Sequence, residues 1–213
     1  MRHLLPIAAI LGGLAVLVAL GVWQLQRAAW KDDVIASIEA RLDEAPVPLP
    51  AVPDPAGDRY RAVAMTGRVG AGVAVFSAWR GAGPGYRIVA PFETDDGRRV
   101  LLDRGFVGAP EAAAVPAARI AVEGNLNWPE EREADPSDGW EARDVAALSS
   151  ALGTEPVMVV ARAVSEAGGV RPVPLDTAGI PDNHLGYAVQ WFGLAAVWVG
   201  MAALWAYRRG GTR

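Results

Sequence analysis

Residues 4–26 read LLPIAAILGGLAVLVALGVWQLQ, and residues 185–207 read LGYAVQWFGLAAVWVGMAALWAY. Neither stretch contains Asp, Glu, Lys or Arg. A helix of either length measures about 34 Å, at about 1.5 Å per residue. The hydrocarbon core of a bilayer is about 30 Å thick. Two membrane spans are therefore expected, one near each end of the 213-residue chain, and they argue against a fully soluble protein.

The charges divide the chain in the same way. All 24 acidic residues lie between Asp32 and Asp182, and 16 of the 20 basic ones lie between Arg27 and Arg171. The middle is thus acidic, while Arg2, Arg208, Arg209 and Arg213 make the tails basic. An acidic domain with no basic stripe argues against nucleic acid as a partner. The middle is one domain's worth of chain and can bury a core. There is no Cys, which excludes disulfides, thiolate catalysis and cysteine-held metal.

The first apolar run is longer than a signal-peptide core, and no small-residue cleavage site follows it, so an uncleaved anchor is expected. Basic tails flanking the two spans place both termini in the cytoplasm. The middle then lies outside, in the periplasm of a Gram-negative bacterium, a source that the Ala-, Gly- and Arg-rich composition fits. Arg27 and Lys31 weaken that vote at the first span.

Ile35, Ile38 and Leu42 continue a helical spacing beyond the first span. One helix is expected from about Leu4 to Glu44, its outer part amphipathic. Pro46, Pro48, Pro50, Pro53 and Pro55 then favour an extended linker. Strand-like runs follow at 60–69, 72–79, 86–92, 99–107, 119–126 and 156–164. Asp95-Asp96-Gly97 reads as a hairpin turn. Asp144 to Leu152 reads as a short helix, with Asp144 as N-cap and Gly153 as its stop. The acidic stretch from Glu130 to Glu141 reads as a solvated loop.

The expected architecture is an α+β membrane protein. Transmembrane helices at 4–26 and 185–207 flank a domain at 45–182, mostly an antiparallel β-sheet or open barrel. Ala8 and Gly12 on the first span, and Gly186, Gly193 and Gly200 on the second, suggest close helix packing or docking on another membrane protein. The alternative is that Gly and Ala are simply common in such helices.

Few motifs carry chemistry. Gly81 to Gly85 leads into a strand and lacks a Gly-Lys-Ser/Thr ending, so it reads as a hairpin turn rather than a phosphate loop. With two His in the chain, a catalytic triad or a protein-only zinc site is hard to build. His3 reads as a polar flank. His184 is different, because Asp182 or Asn183 can cap the second span and place it in the first turn. The positive end of the helix dipole works against imidazolium there, and neutral imidazole is the form that binds haem iron. Tyr187 and Trp191 follow at i+3 and i+7. Together they make an aromatic wall beside a ligand nitrogen, or else an ordinary interfacial belt. On the first span, Trp23, Gln24, Arg27 and Lys31 leave the membrane at the matching depth. Arg27 there suits a propionate or a lipid phosphate, or serves as a plain interfacial anchor.

Four ordered segments resemble the Surfeit locus 1 family. They are Gly21 to Arg27 with Lys31, Gly83 to Phe92, Val100 to Val107, and Asn183 to Phe192. Phe106 stands where Trp is usual, and Gly108 where Pro is usual. The resemblance implies a cytochrome c oxidase assembly factor of the bacterial cytoplasmic membrane, not an enzyme. Its implied cargo is haem a, transiently bound, and its partner the largest subunit of cytochrome c oxidase. Haem A synthase is a further candidate partner, and membrane lipid surrounds the spans. His184 aligns with the histidine implicated in haem binding, as axial ligand to the iron. Tyr187, Trp191 and Trp23 would cover the macrocycle, and Arg27 would meet a propionate. The rival readings are a scaffold that stabilises an assembly intermediate without haem, and a membrane-anchored enzyme. For the latter no nucleophile–base pair is visible.

Overall fold

The computed structural model describes residues 4–79, 82–109, 119–129 and 143–210. Arg2, His3, Gly81, Arg213 and the acidic stretch from Glu130 to Glu141 lie outside the described residues. The elements run α1 (Leu4–Leu42), β1 (Val47–Pro48), β2 (Ala62–Val69), β3 (Val73–Trp79), β4 (Gly83–Thr94), β5 (Arg99–Val107), β6 (Arg119–Asn127), α2 (Val145–Leu152), β7 (Met158–Val164) and α3 (His184–Gly210). They fall into two compact units: Met1–Ser37 with Thr177–Arg213, and Ile38–Asp176.

In the first unit, α1 and α3 are long and apolar enough to cross a membrane. Their large side chains are mostly exposed: Leu5, Leu11, Val16, Leu185, Val189 and Val197 all show half or more of their surface. Core helices of a soluble domain bury such residues, whereas these present them to the surroundings, as lipid-facing helices do.

The second unit is a sheet that returns on itself. The ladders join β1-β2-β6-β7-β5-β4-β3, and β2 also pairs with β4. Thus β2, β6, β7, β5 and β4 close a five-stranded ring, with β1 and β3 on its flanks. Of the two expected forms it is a barrel, and the β2–β4 pairing closes it. Five pairings are antiparallel, while β1–β2 and β5–β7 are parallel. Closure happens at Gly67, which pairs with Ile120 on one side and Thr94 on the other. A Cβ there would overlap the Glu93 carbonyl, so the crossing requires glycine.

Alternation explains the core. Val63, Met65 and Val69 of β2, Ile120 and Val122 of β6, and Phe92, Leu102 and Val159 point into the barrel. A second cluster lies on its outer wall, where Val145 and Leu148 of α2 cover Val89, Leu101, Met158 and Val160. This is why β5 is buried on both faces from Val100 to Val107, with Val100, Leu101 and Leu102 as consecutive apolar residues. The helix itself is set by its caps. The Asp144 carboxylate accepts from Ala146 and Ala147 N–H, and Gly153 closes in the left-handed region at φ 64°. The hairpin turn forms as expected, with Gly97 N–H donating to the Thr94 carbonyl at 2.9 Å. The proline run from Pro46 to Pro55, expected as a linker, contributes the two-residue edge strand β1, and the strand expected from Tyr60 begins at Ala62. Pro48 of β1 is tolerated because an edge needs no further ladder bond.

Two β-bulges each release an arginine. Arg104 is the extra residue where β5 meets β4, and Arg162 the extra residue where β7 meets β6. Bulges re-aim side chains. Arg162 Nη1 donates to the Leu42 carbonyl at 3.0 Å, and Asn125 Nδ2 to the same oxygen at 3.2 Å. The C-terminal end of α1 is therefore capped by a cation and a carboxamide.

Candidate functional site

The site is built where α3 begins. Pro181 ends the preceding segment. The Asp182 carboxylate then accepts from His184 N–H at 3.3 Å, and the Asn183 carbonyl accepts from Tyr187 N–H at 3.1 Å. Asp182 and Asn183 thus share the capping that the sequence suggested, and His184 opens the first turn.

On α1, Gly21, Gln24 and Ala28 are buried at i, i+3 and i+7, and on α3 Ala188 and Ala195 are buried. Small residues on both helices allow close approach in lipid. Gln24 is the polar member of this seam. Its Oε1 lies 2.9 Å from His184 Nδ1. About two turns further along α1, Lys31 Nζ donates to the Pro181 carbonyl. The half-buried imidazole is thus held from a second helix, while among the described residues its Nε2 makes no hydrogen bond.

The other expected site residues are placed differently. Trp191 is half-buried along the seam. Trp23 and Tyr187 are exposed, and among the described residues no ring-to-ring contact joins them. Arg27 is exposed and lays its guanidinium 3.9 Å from the centre of the Trp30 ring. Its flat face is engaged there, while its N–H edge stays available to an anion.

The packing residues need correction. Gly12, Gly186, Gly193 and Gly200 each have open space where a Cβ would stand, so they do not make this helix contact. Gly13 and Gly21 do. A Cβ on Gly13 would lie 2.8 Å from the Trp198 ring, and one on Gly21 2.6 Å from the Phe192 ring. The helices meet by aromatic rings of α3 seated on glycines of α1, a pairing that a stripe of small residues on one helix does not reveal.

In the barrel, the segment Val100 to Val107 carries a buried ionic network. Asp103 is fully buried and accepts from Arg87 Nε at 2.7 Å and Arg143 Nη1 at 3.2 Å. Its other oxygen accepts from Gly105 N–H at 3.2 Å. Arg104, also buried, donates to the Ala167 carbonyl at 3.0 Å, and burial pushes its pKa below the ordinary arginine value. Gly105 has φ 125° and packs on the Arg171 carbonyl. These residues hold the sheet to the strand-like pairing of Phe106 with Arg171. Among the described residues, no group of three His, Asp or Glu is placed to hold a metal ion.

A barrel domain set in the chain between two helices long and apolar enough to cross a membrane, with an imidazole held at their seam, is the class the structure defines. The SURF1 family model matches residues 11–196. A SURF1-like protein of Monosiga brevicollis is 31% identical, covering 81% of this chain and 77% of that protein. Surfeit locus protein 1 of Homo sapiens is 28% identical, over 81% of this chain and 68% of its own length. Cytochrome oxidase assembly protein SHY1 of Saccharomyces cerevisiae is 29% identical, over 65% of this chain and 41% of its own length. The chain belongs to the SURF1 family.

Proposed function

We propose that this protein is a cytochrome c oxidase assembly factor that holds haem a at His184 and assists its insertion into the oxidase's largest subunit. The yeast relative is a cytochrome oxidase assembly protein, which supports the oxidase role. The observation that carries the haem reading is the His184 ring, anchored through Nδ1 to Gln24 at the start of an apolar helix. Haem supplies an iron that takes an axial imidazole nitrogen. His184 presents Nε2 for that bond. Trp23 and Tyr187, exposed on apolar helices, offer ring surface to a hydrophobic macrocycle, and Trp191 backs the ligand from the seam. The N–H edge of Arg27 suits a propionate or a lipid phosphate. Transfer needs no catalytic group: the cargo leaves when the receiving subunit's ligands bind it better. Haem A synthase is a candidate donor.

The basic tails orient the helices with both termini in the cytoplasm and the barrel outside, in the periplasm of a bacterial cell. A reporter fused after Arg213 should behave as cytoplasmic.

The functional test is genetic. Cells lacking the protein should assemble oxidase with less haem a, restored by the wild type and not by His184→Ala. Full oxidase without the protein contradicts the assembly role. Full rescue by His184→Ala instead favours a scaffold that never binds haem.

A further inference from the structure

Gln24 is the buried polar side chain of the α1–α3 seam, 8% exposed. A carboxamide carries two N–H donors and one acceptor oxygen, and it is the oxygen that faces His184 Nδ1, at 2.9 Å. A carboxamide oxygen can only accept. The bond therefore requires the hydrogen on Nδ1, and a neutral imidazole with Nδ1–H has its lone pair on Nε2. Gly21, one turn earlier, is seated against Phe192, which keeps this stretch of α1, and with it Gln24, within reach of His184. Metal-binding histidines commonly donate their second ring N–H to such an acceptor, which fixes both tautomer and ring plane.

We infer that Gln24 is a positioning residue: by accepting from Nδ1–H it holds His184 in the tautomer whose Nε2 lone pair is free to ligate iron. The inference rests on the reading of His184 as the haem ligand, but its first consequence is visible without haem. It also makes the ligand conditional on helix pairing, since the acceptor comes from α1 and the imidazole from α3.

The test uses the full-length, haem-free protein in lipid nanodiscs, labelled with 15N-histidine. The chain has two histidines, so His3→Ala assigns the remaining signal. At alkaline pH, where the ring is neutral, the wild type should show His184 protonated on Nδ1. Gln24→Leu should move the proton to Nε2, and Gln24→Glu, which keeps an acceptor, should restore it to Nδ1. In protein purified with haem, Gln24→Leu should weaken haem retention by about 10- to 100-fold, the usual effect of losing such a partner. Gln24→Glu should retain haem at a lower midpoint potential, because a stronger acceptor makes the imidazole more electron-donating.

A wild-type ring protonated on Nε2, or a tautomer unchanged in Gln24→Leu, overturns the inference. The two claims fail separately. Unchanged haem in His184→Ala overturns the ligand reading while the Nδ1–H tautomer stands.

Discussion

Trp198 of α3 donates its indole N–H to the backbone carbonyl of Ile10 on α1, 2.9 Å away. Gly13 makes the bond geometrically available, since its missing side chain is where the indole lies. A part-buried indole N–H needs a partner, and this one finds it in a neighbouring helix. Gly13→Leu should therefore part the two helices, whereas Gly12→Leu, beside open space, should not. The chain has no native Cys, so a cysteine pair replacing Gly21 and Phe192 reports the contact cleanly. Its oxidative cross-linking should fall sharply in Gly13→Leu and persist in Gly12→Leu. Equal cross-linking in both contradicts the packing described.

The buried carboxylate of Asp103 is the barrel's most consequential ion. Asp103→Asn leaves Arg87, itself 8% exposed, without its counter-charge. Removing one partner of a buried pair costs roughly 3–5 kcal/mol. Glu123→Gln, which removes a longer and half-exposed contact to Arg162 at 3.4 Å, should cost no more than about 1 kcal/mol. Urea unfolding followed by barrel-sheet circular dichroism should separate the two variants clearly.

Two glycines with positive φ should respond differently to alanine. Gly105 combines φ 125° with a backbone carbonyl where Cβ would stand, while Gly97 has φ 86° and open space. Gly105→Ala should destabilise by more than about 3 kcal/mol, and Gly97→Ala by about 1 kcal/mol. Comparable melting temperatures for the two variants contradict the close approach at Gly105.

Asp95 gives the barrel an acid-sensitive element. Hydrogen bonds from Arg119 at 2.6 Å and from Thr66 at 2.5 Å hold its carboxyl below the usual carboxylate range. A depressed folded-state pKa contributes stability above the unfolded value, and that contribution is lost as pH falls through the folded value. Asp95→Asn should lower stability slightly at neutral pH and flatten its decline in acid. Because the pair is exposed, the effect should shrink in high salt. A variant whose stability falls with acid as steeply as the wild type's contradicts the assignment.

Much of the fold was legible from the chain alone, for identifiable reasons. The spans stood out because 23 uncharged residues in a row have few other uses, and α2 because Asp144 and Gly153 are local cap signals. The strand at 99–107 matched because Asp95-Asp96-Gly97 precedes it, and the strand expected at 119–126 runs one residue further, to Asn127. Barrel closure was not legible, since it depends on Gly67 meeting Thr94, a long-range pairing with no local signature. Nor were the bulges that free Arg104 and Arg162. At the site, the first-turn position of His184 could be read from Pro181-Asp182-Asn183. Gln24 was visible only as an interfacial polar residue within the Gly21–Arg27 segment. A signal was present, because Gly21, Gln24, Ala28 and Lys31 follow seam spacing. Choosing the partner helix's contact, however, requires the helices' relative rotation, which sequence spacing does not contain. For the same reason the spacing of the α3 glycines could not tell helix contact from its alternatives, and Gly186, Gly193 and Gly200 stand beside open space.

The central claim is that His184 ligates haem. Its most direct measurement is haem per protein, with the optical spectrum, for wild type and His184→Ala purified from haem-a-producing cells at matched expression. The variant should still insert and fold, because the apolar length of α3 is unchanged and one hydrogen bond to Gln24 is worth about 1 kcal/mol. The account predicts that wild type retains haem a, and that His184→Ala loses it or shows a shifted Soret band. Equal haem with an identical spectrum in the two proteins would contradict it.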